Sequence, residues 1–288
     1  MKIEKENDMG QIIDGKILAK KIRGELKKEV DTFKIKPYLA VIMVGNNDAS
    51  KVYVRNKSKA CEDVGIIFKE YLLEENISMK ELLEVIEKLN NDKNVTGILL
   101  QSPIPKHLRI EEAFERISKE KDVDGFNPYN VGKLTIGEDI FIPCTPLGIM
   151  KMLEEYNIKI EGKKVVIIGR SNIVGKPMAA CMLAKNATVT ICHSKTKNLK
   201  EEVKNADIII AATGKRNIVT SDMVKEGAVI IDVGMNRDEN GKLCGDVDFE
   251  NIKEKASFIT PVPGGVGPMT IAMLMNNVVK AYKLQNKL

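Results

Sequence analysis

Residues 164–177 read KVVIIGRSNIVGKP and decide the fold of the second half of the chain. The run at 164–168 has the length and aliphatic character of a buried strand, and it leads directly into a turn that begins with Gly169. Gly175 allows a helix to approach closely, and Pro177 suits a first helical turn, where its missing N–H is no loss. The spacing is not G-x-G-x-x-G, so the order of strand, glycine turn and helix carries the prediction of a dinucleotide-binding unit.

Further aliphatic runs extend this pattern along the chain. They occupy residues 38–44, 97–100, 187–192, 207–212 and 228–233, with helix-length amphipathic segments between them. Several runs are unbroken, as in parallel sheets that are covered on both faces. We therefore predict an α/β fold of two α/β domains with a cleft between them, the second domain being Rossmann-like with a mainly parallel sheet.

Glycine and proline residues between 125 and 146 mark the predicted joint. We expect residues 1–145 to form one domain and residues 146–269 to form the dinucleotide-binding domain. A helix over residues 147–156 is expected to lead into the second domain. A closing helix over about residues 270–288 is expected to pack back on the first domain.

The choice of dinucleotide follows from the end of the strand predicted at 187–192. NAD-specific folds place an acidic residue there to bind the ribose hydroxyls. Here the strand is followed by HSKT at 193–196, which contains no carboxylate. Arg170 can pair with a phosphate and Ser194 can donate to it, which favours NADP over NAD. A surface arginine and a helix-capping serine are the alternative interpretation.

A lysine occupies the apolar side of the helix that follows the first long strand. At about 100° per residue, Lys57 falls on the same side as Tyr53, Ala60 and Val64. A desolvated lysine has a lowered pKa and suits proton transfer, whereas a snorkelling lysine that reaches water is the alternative. Gln101 ends another predicted strand at the same sheet edge, where its amide oxygen would orient the ammonium. Tyr53 offers a flat face to a ring.

Two aspartates and one loop add candidate ligand contacts. Asp122 and Asp124 share a side if their segment is extended, and a carboxylate there can make two parallel hydrogen bonds to a flat heterocycle. A capping or turn aspartate is the alternative for either residue.

The loop at 261–268, PVPGGVGP, is rigid and poor in side chains. It either lets a ligand approach the backbone or forms a tight interdomain turn, and its position after the last strand favours the ligand.

Composition argues against several other classes of protein. The 288 residues are 43% hydrophobic and 30% charged, with a net charge of +5 and acidic residues interleaved among the lysines, so we expect no disordered tail and no nucleic-acid partner. Five cysteines without a C-x-x-C pair predict buried thiols in a reducing cytosol, and two isolated histidines predict no metal site. The polar amino terminus and the short apolar runs predict a cytoplasmic protein with no leader and no membrane partner.

Five stretches of the sequence carry a family resemblance. They are YVRNKSKA at 53–60, KDVDGF at 121–126, PCTP at 143–146, GRSNIVGKP at 169–177 and PVPGGVGPMT at 261–270. Together they resemble the bifunctional methylenetetrahydrofolate dehydrogenase/methenyltetrahydrofolate cyclohydrolase family over nearly the whole chain. The resemblance implies NADP-dependent oxidation of 5,10-methylenetetrahydrofolate to 5,10-methenyltetrahydrofolate, followed by hydrolysis to 10-formyltetrahydrofolate. It also implies a homodimer joined through the cofactor domains.

The same resemblance assigns roles to individual residues. The implied catalytic and folate-binding set comprises Lys57 as the catalytic lysine, Gln101 as its partner, Tyr53 packing on the pterin and Asp124 as the pterin-binding carboxylate, with Pro263, Gly264 and Gly265 beside the folate. The implied NADP-binding set comprises Gly169, Arg170, Ser171, Ser194 and the backbone at Met235.

Three residues of this chain depart from the family's common pattern. Ser102 lies where leucine is common, Asn127 where histidine is common and Met235 where isoleucine is common. None removes an implied catalytic group, but they bear on the affinity of the pocket and on the choice of cofactor.

Two other hypotheses keep the fold: a dehydrogenase without cyclohydrolase activity, and a cofactor-sensing binding protein. The inward Lys57 argues against a sensor, because a sensor has no need of a proton carrier. Nucleic-acid binding ranks last.

Overall fold

The aliphatic runs form the central strands of two parallel sheets in a computed structural model of the chain, which describes residues 10–138 and 141–288. The strands, in chain order, are β1 (Gln11–Ile12), β2 (Tyr38–Val44), β3 (Ile67–Leu73), β4 (Gly97–Leu100), β5 (Lys164–Ile168), β6 (Thr188–Cys192), β7 (Ile208–Ala211), β8 (Val229–Asp232), β9 (Asn236–Arg237), β10 (Leu243–Cys244) and β11 (Phe258–Ile259).

Helices alternate with most of these strands. In chain order they are α1 (Gly15–Asp31), α2 (Asp48–Val64), α3 (Met79–Asn91), α4 (Ile110–Arg116), α5 (Pro128–Thr135), α6 (Cys144–Glu155), α7 (Gly175–Ala184), α8 (Leu199–Val203), α9 (Phe249–Ile252) and α10 (Val266–Asn286). A single 3-10 turn covers Ser221–Met223.

The described residues divide into two units, which we name by their sheets. The three-stranded unit comprises residues 19–138, 141–144 and 271–288, and the six-stranded unit comprises residues 10–18 and 145–270. The first predicted domain starts at residue 1, whereas residues 10–18 belong to the six-stranded unit. The reason is that β1 pairs in parallel with β11, and the backbone N–H of Ile13 donates to Ile259 O at 2.9 Å.

The six-stranded sheet has the order β1-β11-β8-β7-β5-β6, and its neighbouring strands are all parallel. Strands β7 and β8 are buried at every position, because helices and loops cover both faces of an unbroken aliphatic run. Strand β5 lies between β6 and β7, so the chain changes direction across the sheet at the carboxyl end of β5. Open α/β sheets bind ligands at such a switch point.

The three-stranded sheet has the order β3-β2-β4 and is also parallel. Its central strand β2 is buried from Leu39 onward. Helix α3 covers one face with Leu82, Ile86 and Leu89, and a capping box between Ser78 and Glu81 fixes where that helix begins. The carboxyl ends of β2 and β4 therefore lie side by side.

The predicted α/β class, with a Rossmann-like second half, is confirmed by these sheets. The sequence pattern did not indicate β3, an edge strand in which every position is exposed or half-buried and Lys69 and Glu70 interrupt the apolar run. Such a strand lacks the continuous burial that made the central strands recognisable.

Two helix boundaries differ from the predicted ones. Helix α6 begins at Cys144 rather than at residue 147. Helix α10 begins at Val266, so the last part of the predicted loop 261–268 is helical. Pro268 is accommodated in this first turn because the first N–H groups of a helix have no partner within the helix.

The last part of the chain is anchored within the three-stranded unit by a buried asparagine. Asn277 on α10 donates through Nδ2 to Val123 O at 2.9 Å and to Ile142 O at 3.0 Å. Farther along the helix, Lys283 pairs with Glu29 at 2.7 Å. The Asn277 bonds tie α10 to the two segments that carry Asp124 and Cys144, and the ion pair ties it to α1.

We expect Asn277→Ala to lower the free energy of unfolding by about 1–3 kcal/mol, because two buried carbonyl groups lose their donor. The neighbouring half-buried Asn276 supplies the matched control, Asn276→Ala, with an expected change within about 0.5 kcal/mol. Denaturant titration of the three proteins measures the difference. Equal stability of the two variants would contradict the anchoring role of Asn277.

Candidate active site

Lys57 lies on α2, a helix whose two ends are set by local sequence. Asn47 caps the amino end by accepting from the backbone N–H of Ser50 at 3.0 Å, and Gly65 ends the helix in the left-handed region at φ 86°. The helix starts shortly after the carboxyl end of β2, which is the edge where α/β folds bind ligands. Lys57 itself is half-buried.

The structure brings Lys57 and Gln101 together. Lys57 Nζ donates to Gln101 Oε1 at 2.9 Å. The backbone N–H of Gln101 donates to Ile42 O at 2.8 Å, and its side-chain Nε2 donates to Ser102 O at 2.6 Å. These bonds leave the amide oxygen of Gln101 facing the lysine. The two residues meet because β4, which Gln101 follows, pairs with β2, which precedes α2.

Asp124 and Cys144 complete a group that we call the lysine cluster, consisting of Lys57, Gln101, Asp124 and Cys144. Cys144 Sγ donates to Asp124 Oδ1 at 3.6 Å, and the charge of Asp124 acts on Lys57. The sequence predicted Cys144 only as a buried thiol. Its hydrogen-bond partner, Asp124, lies 20 positions away in the sequence. The PCTP motif at 143–146 was the one sequence signal that included Cys144.

Burial governs ionisation in the lysine cluster. Burial lowers the pKa of the Lys57 ammonium, and the charge of Asp124 opposes that shift. Burial raises the pKa of the Asp124 carboxyl, and Lys57 opposes it. The pKa of the Cys144 thiol is raised well above its usual value by the same cause. Since a buried charged form loses hydration, the neutral amine of Lys57 is more accessible near neutral pH than that of an exposed lysine.

The segment of Asp122 and Asp124 is not extended, so the condition under which the two carboxylates would share a side is not met. Asp122 is buried and accepts four hydrogen bonds, from the backbone N–H groups of Gly125, Phe126 and Asn127 and from Asn130 Nδ2, at 2.8–3.1 Å. The segment turns rather than extends, with Gly125 at φ 74°. Asp122 is thus the turn aspartate of the alternative interpretation, and it shapes the segment that presents Asp124.

The other predicted folate contacts, Tyr53 and the loop with Pro263, Gly264 and Gly265, belong to different units of the structure. Tyr53 is half-buried on α2, one turn before Lys57. Pro263, Gly264 and Gly265 belong to the six-stranded unit, unlike the lysine cluster. There Gly264 adopts φ 112°, and its carbonyl accepts from the N–H of Lys16 at 3.0 Å. This loop has the close backbone contacts of a tight turn.

The glycine turn after β5 packs so closely against neighbouring backbone that side chains at its glycines would collide with it. Gly169 has φ 129°, and a Cβ there would lie 2.3 Å from Ala212 O. A Cβ on Gly175 would lie 2.2 Å from Gly169 O. Helix α7 begins at Gly175, so its amino end faces the turn at the switch point of the sheet. This arrangement fits the phosphates of a dinucleotide, which need backbone approach and a positive helix end.

The remaining predicted NADP contacts are accessible. Arg170, Ser171 and Ser194 are exposed, and Met235 is 50% exposed at the carboxyl end of β8. Ser171 Oγ accepts from the N–H of Val174 at 3.2 Å and thereby orders the glycine turn. The sequence singled out the same residues, which fit the anionic groups of NADP by charge and by hydrogen-bonding capacity.

Within the described part of the chain, no group of three or more His, Cys, Asp or Glu side chains is arranged to hold a metal ion. Among the helices of these residues, none has the length and apolar character needed to cross a membrane.

Comparisons with known proteins agree with this geometry. Two family models match, "Tetrahydrofolate dehydrogenase/cyclohydrolase, catalytic domain" over residues 13–124 and "Tetrahydrofolate dehydrogenase/cyclohydrolase, NAD(P)-binding domain" over residues 143–286. A relative from Acetivibrio thermocellus, named Bifunctional protein FolD, is 56% identical over 281 residues, which are 96% of this chain and 99% of that protein.

Solved structures extend the comparison. The crystal structure of the bifunctional enzyme FolD from Campylobacter jejuni has a TM-score of 0.95 at 54% identity, covering 96% of this chain and 99% of that one. The dehydrogenase-cyclohydrolase of Trypanosoma brucei, complexed with NADP cofactor and inhibitor, has a TM-score of 0.92 at 35% identity, covering 97% of this chain and 99% of that one.

The Asp122 turn yields a pH-dependent prediction. Burial raises the pKa of Asp122 to about 6, and the donor Asn130 opposes this rise. We expect Asn130→Ala to raise the pKa further and to cost about 1–3 kcal/mol of unfolding free energy at pH 8, where Asp122 is ionised. At pH 4.5, where the folded protein holds Asp122 protonated, the cost is smaller.

Denaturant titration at both pH values measures the two costs, with Asn91→Ala as a control because Asn91 is exposed on α3. A cost for Asn130→Ala that is equal at both pH values would show that Asn130 does not stabilise the Asp122 carboxylate.

Proposed function

The chain belongs to the tetrahydrofolate dehydrogenase/cyclohydrolase family, and we propose that its lysine cluster is the folate site of both activities. It is a bifunctional enzyme of folate one-carbon metabolism. With NADP it oxidises 5,10-methylenetetrahydrofolate to 5,10-methenyltetrahydrofolate, which it then hydrolyses to 10-formyltetrahydrofolate. The observation that carries the assignment of the site is the bond between Lys57 Nζ and Gln101 Oε1 at 2.9 Å, beside the Asp124 carboxylate.

In the oxidation step, bound NADP would supply the hydride acceptor for the one-carbon bridge of the substrate. We propose that Gly169, Arg170, Ser171, Ser194 and the backbone at Met235 bind the cofactor, with the phosphates at the glycine turn. The protein contributes position rather than electrons in this step. The proposed folate contacts are Tyr53 against the pterin ring, Asp124 in paired hydrogen bonds to the pterin, and the loop with Pro263, Gly264 and Gly265.

In the hydrolysis step, we propose that Lys57 moves protons. Water adds to the electrophilic methenyl carbon, and its proton passes to the neutral amine of Lys57. The bond from that carbon to one ring nitrogen then breaks, the nitrogen takes a proton from the Lys57 ammonium, and the remaining hydroxyl proton leaves to water as the formyl group forms. Burial lowers the pKa of Lys57 toward the range that this exchange needs. Gln101 holds Nζ in place through its amide oxygen.

The assembly that we propose is a homodimer formed through the six-stranded unit. Strand β6 is the edge of its sheet, and among the described strands it pairs only with β5. Ile191 on β6 is 38% exposed, and Leu183 at the end of α7 is 65% exposed. An open strand edge flanked by accessible aliphatic side chains favours association with a second copy.

We also propose a cytoplasmic location and partners limited to folates and NADP. All five cysteines are free, and four are buried, as suits a reducing compartment. Lysines pair with neighbouring carboxylates along exposed helices, for example Lys151 with Glu154 and Lys204 with Glu201. Such interleaved charge supports a protein that binds neither nucleic acid nor a membrane surface.

We expect Lys57→Met to lower the hydrolysis of methenyltetrahydrofolate by about 100-fold or more, because the step loses its proton carrier. Hydride transfer to NADP is expected to survive in part, since the cofactor and the substrate carry the electrons. Separate spectrophotometric assays of the two steps measure this split. Lys59→Met, an exposed lysine on the same helix, is the control and should keep both activities. Undiminished hydrolysis by Lys57→Met would remove Lys57 from its proposed role.

The dimer predicts a mass of twice 32.0 kDa in light scattering coupled to gel filtration. We expect Ile191→Lys to shift the protein toward the monomer, because two lysine charges would be buried at the strand edge. Ile35→Lys, at an exposed position of the three-stranded unit, should leave the mass unchanged. A monomeric wild type, or a dimer that tolerates Ile191→Lys, would contradict the proposed interface.

A further inference from the structure

Two carboxylates lie buried at the carboxyl edge of the six-stranded sheet, close to the segment predicted to hold NADP. Asp232, the last residue of β8, is 3% exposed, and Asp246, which closely follows β10, is 0% exposed. The sequence analysis singled out neither residue, and the proposed mechanism uses neither. Buried carboxylates need partners that satisfy their oxygens, so their hydrogen bonds show what they hold in place.

Asp246 joins the ends of two neighbouring strands. Its Oδ2 accepts from the backbone N–H of Thr213 at 2.6 Å, from Thr213 Oγ1 at 2.9 Å and from the N–H of Gly214 at 3.0 Å, all just beyond β7. Its Oδ1 accepts at 2.9 Å from Nδ2 of Asn236, the first residue of β9, which follows β8 in the chain. One side chain therefore fixes the exits of β7 and β8 relative to each other.

Asp232 holds Asp246 in turn. Its oxygens accept from the backbone N–H groups of Gly234, Asp246 and Val247, each at 2.9 Å. Glycine is required beside both carboxylates: a Cβ on Gly234 would lie 2.2 Å from Asp246 Oδ1, and one on Gly245 would lie 1.9 Å from Asp232 Oδ2. The two aspartates and two glycines are thus packed without room for adjustment.

Met235 lies between the two attachment points. On one side, the backbone N–H of Gly234 donates to Asp232, and on the other, the side chain of Asn236 donates to Asp246. Met235 is half exposed. We infer that Asp246 is a positioning residue for NADP, because it clamps the backbone around Met235 and the turn at 213–214 into the shape that receives the cofactor. This inference rests on the proposed cofactor role of the Met235 backbone.

The enzyme itself supplies a test, because its hydrolysis step does not consume NADP. We expect Asp246→Asn, which must place its amide NH2 either against the donors at Thr213 and Gly214 or against the donor of Asn236, to raise the dissociation constant for NADP by about 10-fold in calorimetry. Hydrolysis of methenyltetrahydrofolate, assayed without NADP, should stay within about twofold of wild type, since Lys57 and Gln101, which carry the proposed proton transfer, lie in the three-stranded unit. Asp248→Asn, at a half-buried aspartate two positions away, is the matched control and should leave both values unchanged.

The outcomes separate the inference from a general loss of stability. Unchanged NADP affinity in Asp246→Asn would overturn it, as would a parallel fall of NADP binding and hydrolysis. If Asp246→Asn does not fold, Asn236→Ala removes only the bonds to Asp246 Oδ1 and Gly245 O, and we expect it to weaken NADP about threefold with hydrolysis retained. Failure of the wild type to bind NADP would instead refute the proposed cofactor site.

Discussion

The hydrogen bond from Lys57 to Gln101, beside the carboxylate of Asp124, is the interaction on which the proposed chemistry depends. An amine held in a half-buried site loses part of the hydration that favours its charged form, and the nearby carboxylate restores only some of that stabilisation. The pKa of Lys57 is therefore shifted downward, which is the direction that a proton carrier near neutral pH requires. Helix α2, strand β4 and the Asp122 turn each bring one member of the cluster into place.

Both units use a buried aspartate in the same structural way. Asp122 collects backbone N–H groups of a turn in the three-stranded unit, and Asp232 and Asp246 do so at the sheet edge of the six-stranded unit. In each case the carboxylate fixes backbone that lies next to residues proposed to meet a ligand, Asp124 in one unit and Met235 in the other. Rigid backbone of this kind lowers the cost of ordering a site when its ligand binds.

The sequence predicted those parts of the structure whose signal is local. The unbroken runs at β2, β5, β7 and β8 and the glycine turn after β5 could be recognised from burial pattern and residue type. The roles of Cys144 and Asp246 could not, because each depends on partners that the fold brings from elsewhere in the chain. Asp246 accepts from Thr213, 33 positions away, and no spacing rule indicates such a contact.

Titration of Lys57 itself tests the account most directly. Heteronuclear NMR of protein labelled in its lysine side chains, with the Lys57 signal assigned from the spectrum of Lys57→Arg, reports the pKa of this one amine. We expect a pKa clearly below the usual 10.5, because burial outweighs the charge of Asp124. A pKa at or above 10.5 would contradict it, since Lys57 would then remain an ammonium throughout the neutral range and could not accept a proton from water.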